Sequence, residues 1–169
     1  EKEAPDLSYY QGYVLIDTQG TTSHLTQKVE EAKLPLIAVI DHHAIQGKLK
    51  AELLDIRPEA HATATMMTQY LRAGLIQLDR SNSNHVKCAT ALMHGLRSDT
   101  NHLMQASEPD FLAAAYLSQY YDAQLLSAVL QASRSRRVMD VIERSLRNRK
   151  TQNSVSIAGV GYLRYEDRD

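Results

Sequence analysis

The residues best placed to do chemistry are Asp41-His42-His43, an acid and two imidazoles directly after the apolar run Leu36-Ile37-Ala38-Val39-Ile40. A second acid, Asp17, closes a similar run, Tyr13-Val14-Leu15-Ile16. Carboxylates and imidazoles brought together are ligands for divalent cations such as Mn²⁺ and Mg²⁺, with manganese the more tolerant of imidazole. A carboxylate bridging two such ions is the usual core of a two-metal site. That arrangement generates a hydroxide nucleophile and clamps the oxygens of an in-line phosphoryl displacement. Phosphoester hydrolysis is the natural reading. A lone histidine is more often a surface or satisfied core residue; the adjacency of three such groups at the end of an apolar run sets these apart.

The site needs elements that deliver Asp17 and Asp41 to one edge. Residues 36–40, rich in β-branched side chains and led in by Pro35, read as a strand buried on both faces inside a parallel sheet. Residues 13–17, followed by the turn Thr18-Gln19-Gly20, read as a companion strand. Between them Thr22 or Ser23 could cap a short helix reaching about Lys33. The product is a β-α-β unit. Its right-handed crossover makes the strands parallel and puts both acids at their carboxyl ends, where ligands collect in open α/β sheets.

Beyond the second strand, residues 44–50 read as a loop and 51–56 as a third, shorter strand. Pro58 marks the start of a helix that runs to Ala73 and ends at Gly74. His61 and Thr63 near that start could be capping or surface residues, or could offer an anionic substrate N–H groups and a hydroxyl. Val86, Ala89, Leu92, Met93 and Leu96 recur at spacings of three and four, which predicts a helix over 84–96 in which Gly95 permits close packing. Residues 97–102 are polar and turn-prone. Glu108-Pro109-Asp110 opens a helix to about Tyr121, with Leu112, Ala115, Tyr116 and Gln119 setting its faces, and Asp122 caps another through Leu130. Residues 134–150 predict a long helix with Val138, Val141, Ile142 and Leu146 as its apolar stripe. Its arginines read as a solvated face, because no aromatic residues interleave with them to stack bases. Residues 154–162 alternate as a closing strand. The expected fold class is α/β, a parallel sheet flanked by helices.

Composition sets the remaining limits. At 169 residues, with 43% hydrophobic and 23% charged, the chain has the makings of one domain with a real core. A net charge of -1 gives no global attraction to polyanions, so a phosphate-bearing substrate must be held by a local site or by metal ions. The single cysteine, Cys88, excludes an intramolecular disulfide, points to the reducing cytoplasm, and is expected to be packed. No apolar stretch is long enough to span a bilayer, and no membrane partner is expected. Residues 1–6 lack the basic and apolar regions of a signal peptide, and the first residue is not Met.

Four motifs in order carry a family resemblance: Leu15-Ile16-Asp17-Thr18; Val39-Ile40-Asp41-His42-His43; Asp55-Ile56-Arg57-Pro58-Glu59-Ala60 with Thr63; and Gly95-Leu96-Arg97-Ser98-Asp99-Thr100. Together they resemble successive signatures of the DHH phosphoesterase superfamily, most closely its nanoRNase/pAp-phosphatase type. The resemblance implies Asp17 as a bridging metal ligand and His42 and Asp99 as further ligands. It implies Asp41 as support behind them and His43 facing the substrate phosphate, which makes His43 and Asp41 the candidate catalytic pair. Asp99 alone would be read as a cap for the next segment. Two Mn²⁺ ions, with Mg²⁺ an alternative, and a short oligonucleotide or nucleotide phosphate as substrate are also implied. A homodimer is left open.

Members of that superfamily also carry a His and an Asp-x-Asp motif on the first strand-loop, and a carboxy-terminal substrate-binding domain. Neither is found here. The chain is therefore expected to be the middle of such a protein, with residues 1–150 a partial DHH domain and 151–169 a linker or first strand towards a further domain. Two other functions stand beside metal-dependent hydrolysis. One is a catalytically incomplete, nucleotide-binding regulatory module. The other, ranked lower, is a DHH-type inorganic pyrophosphatase, for whose Ser-Arg-Lys signature Ser133-Arg134-Ser135 is a poor substitute.

Overall fold

The computed structural model describes residues 6–20, 24–131 and 136–162. The chain divides between residues 126 and 127 into two compact units. The first holds an α/β core. Its sheet has three parallel strands in the order β1 (Tyr13–Ile16), β2 (Leu36–Asp41), β3 (Leu53–Ile56), and α1 (His24–Glu31) makes the first crossover. Leu15 pairs with Val39 and Ile16 with Ile40, while Asp41 pairs with Ile56 across the other edge of β2. The expected β-α-β unit is present and its strands share one carboxyl end. Thr22 and Ser23, read as caps for α1, lie outside the described residues.

Burial on both faces holds only for the half of β2 nearer that carboxyl end. Ala38, Val39, Ile40 and Asp41 are buried, but Ile37 is exposed, and so are Val14 and Leu53, the register neighbours of Ala38 on either side. Entry into β1 depends on Gly12. A Cβ there would lie 2.7 Å from Ile37 Cδ1 and 2.9 Å from the Pro35 carbonyl oxygen, so only glycine lets the two chains approach so closely.

The helices α2 (Thr63–Arg72), α3 (Ser83–Asp99) and α4 (Glu108–Leu117) pack on one another, and α2 also meets β2. Their core has two parts. Leu71, Leu78, Ala89, Met93, Leu117 and Leu126 form one; Ala62, Ala64, Leu96 and Ala113 form the other. A Cβ at Gly95 would sit 3.4 Å from Ala64 Cβ, an ordinary contact, so the packing of α3 does not require glycine there.

Several boundaries differ from those expected. Pro58 does not open α2: Arg57 N–H still bonds to the Asp41 carbonyl at 2.9 Å, which extends the sheet ladder, and Ala60 N–H closes a turn on Arg57. The helix starts at Thr63, after the extended Ala62. At the other side α3 runs past Leu96 to Asp99, because the chain turns only at Asn101, His102 and Leu103, all at positive φ. Asp99 is thus the last residue of a helix, not part of a loop. Helix α4 ends at Leu117 instead of Tyr121 and buries Asp110, Ala113 and Leu117, whereas Leu112 and Ala115 are exposed. A sequence apolar on every side gave that helix no legible face; the inward Asp110 sets it. Cys88 is exposed, not packed, because the buried side of α3 runs through its neighbours Ala89, Met93 and Leu96. Asp122 does cap α5 (Ala123–Leu130), accepting the Gln124 and Leu125 N–H groups at 2.8 and 3.0 Å.

The second unit contains α6 (Arg136–Arg147) and an antiparallel hairpin of β4 (Arg149–Gln152) and β5 (Val155–Ala158). Arg149 and Lys150 are strand residues, not the end of a helix. Asn153, at φ 54°, makes the tight reversal that the sequence reading passed over. Ser133, Arg134 and Ser135 lie outside the described residues. Among the described residues no helix is long and apolar enough to cross a membrane.

Candidate metal and phosphate site

The site forms at the carboxyl end of β1 and β2. Asp17 N–H bonds to the Ile40 carbonyl at 2.9 Å, the last rung of the ladder, and Asp17 itself then turns to φ 61°. Aspartate tolerates this left-handed conformation better than most residues, at a cost of about 1–3 kcal/mol that the surroundings must offset. Thr63, the first residue of α2, helps to offset it by donating its hydroxyl to Asp17 Oδ1 at 2.8 Å.

His42 follows β2 directly. Its Nδ1 lies 3.3 Å from the Ala60 carbonyl oxygen. A carbonyl only accepts, so in the neutral ring that contact places the proton on Nδ1 and leaves Nε2 a bare lone pair. That lone pair faces Asp17 Oδ1 at 3.5 Å. In that tautomer neither atom can donate to the other. Two acceptors held this close suit a shared cation: ligands at about 2.1 Å from an ion stand about 3.0–3.4 Å apart in octahedral or tetrahedral geometry. One ligand atom each from Asp17, His42 and His43 lie within 4.8 Å of one another. Asp17 and His42 thus offer the mixed oxygen and nitrogen ligands that a divalent cation of the manganese type accepts.

Asp41 does not face that space. It is 1% exposed and spends its oxygens on the turn that follows it. Oδ1 accepts the His42 and His43 backbone N–H groups at 2.9 and 3.3 Å and lies 2.7 Å from His43 Nδ1. Oδ2 accepts the Gln19 side-chain amide at 2.8 Å. Burial pushes the Asp41 carboxyl up, but the hydrogen bonds from His43 and Gln19 outweigh it and hold the group below the usual carboxylate range. The same bond raises the His43 imidazole above its ordinary value, against some desolvation, and the charges of Asp41, Asp17 and Asp99 add to it. His43 thus presents Nε2 to solvent with its proton retained to higher pH.

Asp99, at the end of α3, falls outside the 4.8 Å set but within electrostatic reach of it. Desolvation and the Asp17 carboxylate push its carboxyl up, while His42, His43 and His94 pull the other way. A carboxyl whose ionisation is opposed by burial and a neighbouring carboxylate is the electrostatic setting into which a cation would fit.

Of the two residues at the entry to α2, Thr63 joins the site, buried against Asp17, whereas the half-exposed His61 lies outside the 4.8 Å cluster and pairs with Asp110, Nδ1 2.9 Å from Oδ2. Two supporting residues escaped the sequence reading. Gln19, buried in the turn after β1, links Asp41 to the next loop by donating to the Ala44 carbonyl at 3.1 Å and accepting the Gln46 N–H at 2.7 Å. Asp110 was read only as part of a helix start. A buried amide and a buried acid have no distinguishing sequence signal when both sit among ordinary turn and cap residues. Elsewhere, a surface groove of about 740 Å³ lined by Arg80, Lys87 and Tyr121 contains none of the candidate residues.

No family model matches the chain. The uncharacterized protein MJ1633 of Methanocaldococcus jannaschii is 36% identical over 164 residues, which are 96% of this chain and 32% of that protein. The chain thus spans about a third of the relative's length. Among solved structures, an exopolyphosphatase-related protein from Bacteroides fragilis matches with a TM-score of 0.62 at 15% identity, over 85% of this chain and 42% of that one. The α/β fold is shared. In that fold the ends of β1 and β2 are where a ligand site is expected, and Asp17, Asp41, His42 and His43 occupy them.

Proposed function

We propose that this chain binds a divalent cation, Mn²⁺ foremost and Mg²⁺ as the alternative, through Asp17, His42 and Asp99, and that the protein it represents is a phosphoesterase of the DHH type. Its substrates would be the phosphodiester or phosphomonoester bonds of short oligonucleotides or nucleotides. The observation that carries this reading is His42 Nε2 held 3.5 Å from Asp17 Oδ1 at the carboxyl end of a parallel sheet. The fold shared with an exopolyphosphatase-related protein supports it. A bound ion would polarise a phosphoryl oxygen and make a coordinated water acidic at neutral pH. The chain's own groups do the rest. His43, its ring held by Asp41 at 2.7 Å, offers a hydrogen bond to a phosphate oxygen, and Thr63 fixes the Asp17 carboxylate.

A second reading is a nucleotide-binding module without turnover. It is favoured by the fact that, among the described residues, one cluster of metal-type ligands is present where a two-ion clamp needs more donors. Calorimetric titration of the chain with Mn²⁺ tests the metal-dependent reading. The parent should bind, and His42→Ala should bind at least ten-fold more weakly; a parent that takes up no Mn²⁺ overturns the metal-dependent reading and leaves the module. Release of mononucleotide from a short oligoribonucleotide then separates the enzyme from the module.

A further inference from the structure

His61 is held in a way that a surface histidine is not. Its partner Asp110 is 1% exposed and comes from a different element, the first turn of α4. Asp110 Oδ2 already accepts the Ser107 N–H at 2.8 Å and the Ser107 hydroxyl at 2.7 Å, and Oδ1 accepts the Thr65 hydroxyl at 2.6 Å. A helix cap needs only the first of these bonds. Burial would raise the Asp110 carboxyl, but Thr65, Ser107 and His61 together hold it below the usual range. It is therefore an anion and can only accept, so His61 Nδ1 must be the donor and Nε2 the free atom of the ring. The His61 side chain is 45% exposed.

The position of His61 in the chain matters as much. Ala60, one residue before, holds His42 through its carbonyl, and Thr63, two residues after, holds Asp17 through its hydroxyl. With consecutive Cα atoms 3.8 Å apart, the His61 backbone lies within about 7 Å of both residues that secure the candidate ligands. We infer that His61, oriented by Asp110, is a further catalytic residue of this site and transfers a proton to the leaving oxygen of the ester, with Asp110 as its positioning residue.

This inference rests on the phosphoester reading above. In the step, the bond from the attacking water oxygen to phosphorus forms as the phosphorus–ester oxygen bond breaks. The ester oxygen keeps the bonding electron pair and takes the proton from Nε2 of the His61 imidazolium. The proton lost by the water goes to solvent, and neutral His61 regains one from solvent. A general acid of this kind contributes typically about 10²–10⁴-fold when the leaving group is a poor one.

The test compares two esters in the presence of Mn²⁺: a dinucleotide, whose sugar hydroxyl is a poor leaving group, and a nucleotide p-nitrophenyl ester, whose phenol leaves unaided. His61→Gln should lower kcat on the dinucleotide by about 10²-fold or more and leave the nitrophenyl ester within a few-fold. Asp110→Asn should show the same split more weakly. Nitrogen NMR of the parent should find the neutral His61 proton on Nδ1, and in Asp110→Asn a share should move to Nε2. Equal losses on both esters, or a parent proton on Nε2, overturn the role of His61 and leave the phosphoester reading intact. If Asp110→Asn does not fold, His61→Gln, on a half-exposed residue, still decides the matter. A parent that binds Mn²⁺ and cleaves neither ester overturns the phosphoester reading itself, and the role of His61 with it.

Discussion

Replacing Gln19 by leucine should loosen the whole Asp41 turn, and the size of the effect follows from its bonds. The side chain is 4% exposed and ties the turn after β1 to the turn after β2. Its amide donates to Asp41 Oδ2 at 2.8 Å and to the Ala44 carbonyl at 3.1 Å, and its carbonyl accepts the Gln46 N–H at 2.7 Å. A hydrogen bond to a buried charged acceptor is worth about 1.5–3 kcal/mol, and a neutral one about 0.5–1.5 kcal/mol. Ala44 and Gln46 are exposed, so water can replace their lost partners, while the buried Asp41 oxygen has no such substitute. The expected loss is about 2–4 kcal/mol, most of it from Asp41. With a urea slope of about 2 kcal/mol per molar, the unfolding midpoint should fall by roughly 1–2 M. Gln19→Glu sharpens the case, since it keeps the shape but sets a second carboxyl against Asp41; it should destabilise at least as much at neutral pH and recover partly on acidification. Groups that orient ligands from behind typically alter metal affinity by about 10–100-fold, so Mn²⁺ binding should weaken in both variants. A midpoint within about 0.3 M of the parent for both would refute the account of Gln19 as the clamp on the Asp41 turn.

Asp17→Asn should keep the fold, because asparagine also tolerates φ 61°, yet abolish Mn²⁺-dependent hydrolysis in the full-length protein. Asp99→Asn should do the same, and activity retained in either removes that residue from the metal set. Leu96→Ala, at a position fully buried between α2 and α4 neighbours, should cost about 2–5 kcal/mol in chemical denaturation; a loss under about 1 kcal/mol would mean that the small-residue cluster is not a tight core. Acid should destabilise through Asp55 and Asp110, whose carboxyls burial raises but hydrogen bonds, from Arg57 and Tyr70 in one case and Thr65 and Ser107 in the other, hold below the ordinary value. The unfolded chain then takes up protons first, so this stability is intact above about pH 4 and is lost as pH falls through the folded-state values. Melting curves from pH 6 to pH 3 should show a drop in Tm that is shallower in Asp55→Asn; identical slopes would assign the acid sensitivity elsewhere.

Much of this architecture is legible from local pattern. The β-branched runs of β1 and β2, separated by a helix-length segment, dictate a parallel pair, and parallel pairing alone brings Asp17 beside His42. The capping of α5 by Asp122 is equally local. What could not be read depends on tertiary partners. The start of α2 is deferred from Pro58 to Thr63 because Arg57 is captured twice, by the ladder through its N–H and by Asp55 through its guanidinium at 2.6 and 2.7 Å. Asp99 is helical because the left-handed turn falls after it, at residues with no glycine to announce it. Gln19 and Asp110 become significant only once a strand end or a histidine from elsewhere in the chain is set beside them.

The carboxylates of this unit divide by burial into two kinds of work. Asp41 and Asp110 are 1% exposed, and each accepts from its own turn, from one residue elsewhere in the chain, Gln19 or Thr65, and holds one imidazole, His43 or His61. Each fixes the ring it holds through Nδ1 and makes no bond to the far nitrogen. Asp17, by contrast, is 54% exposed at its side chain and has one hydroxyl donor, from Thr63. A carboxylate with few protein donors and a bare imidazole nitrogen opposite keeps coordination capacity that water or a cation must fill. The two patterns are complementary: buried acids make the histidines rigid and set which nitrogen they leave unbonded, and exposed acids keep their lone pairs for an incoming ion. Exchanging the roles would fail in both directions, because a buried unpaired carboxylate would neutralise by taking up a proton, and an exposed one would not hold a ring in one orientation.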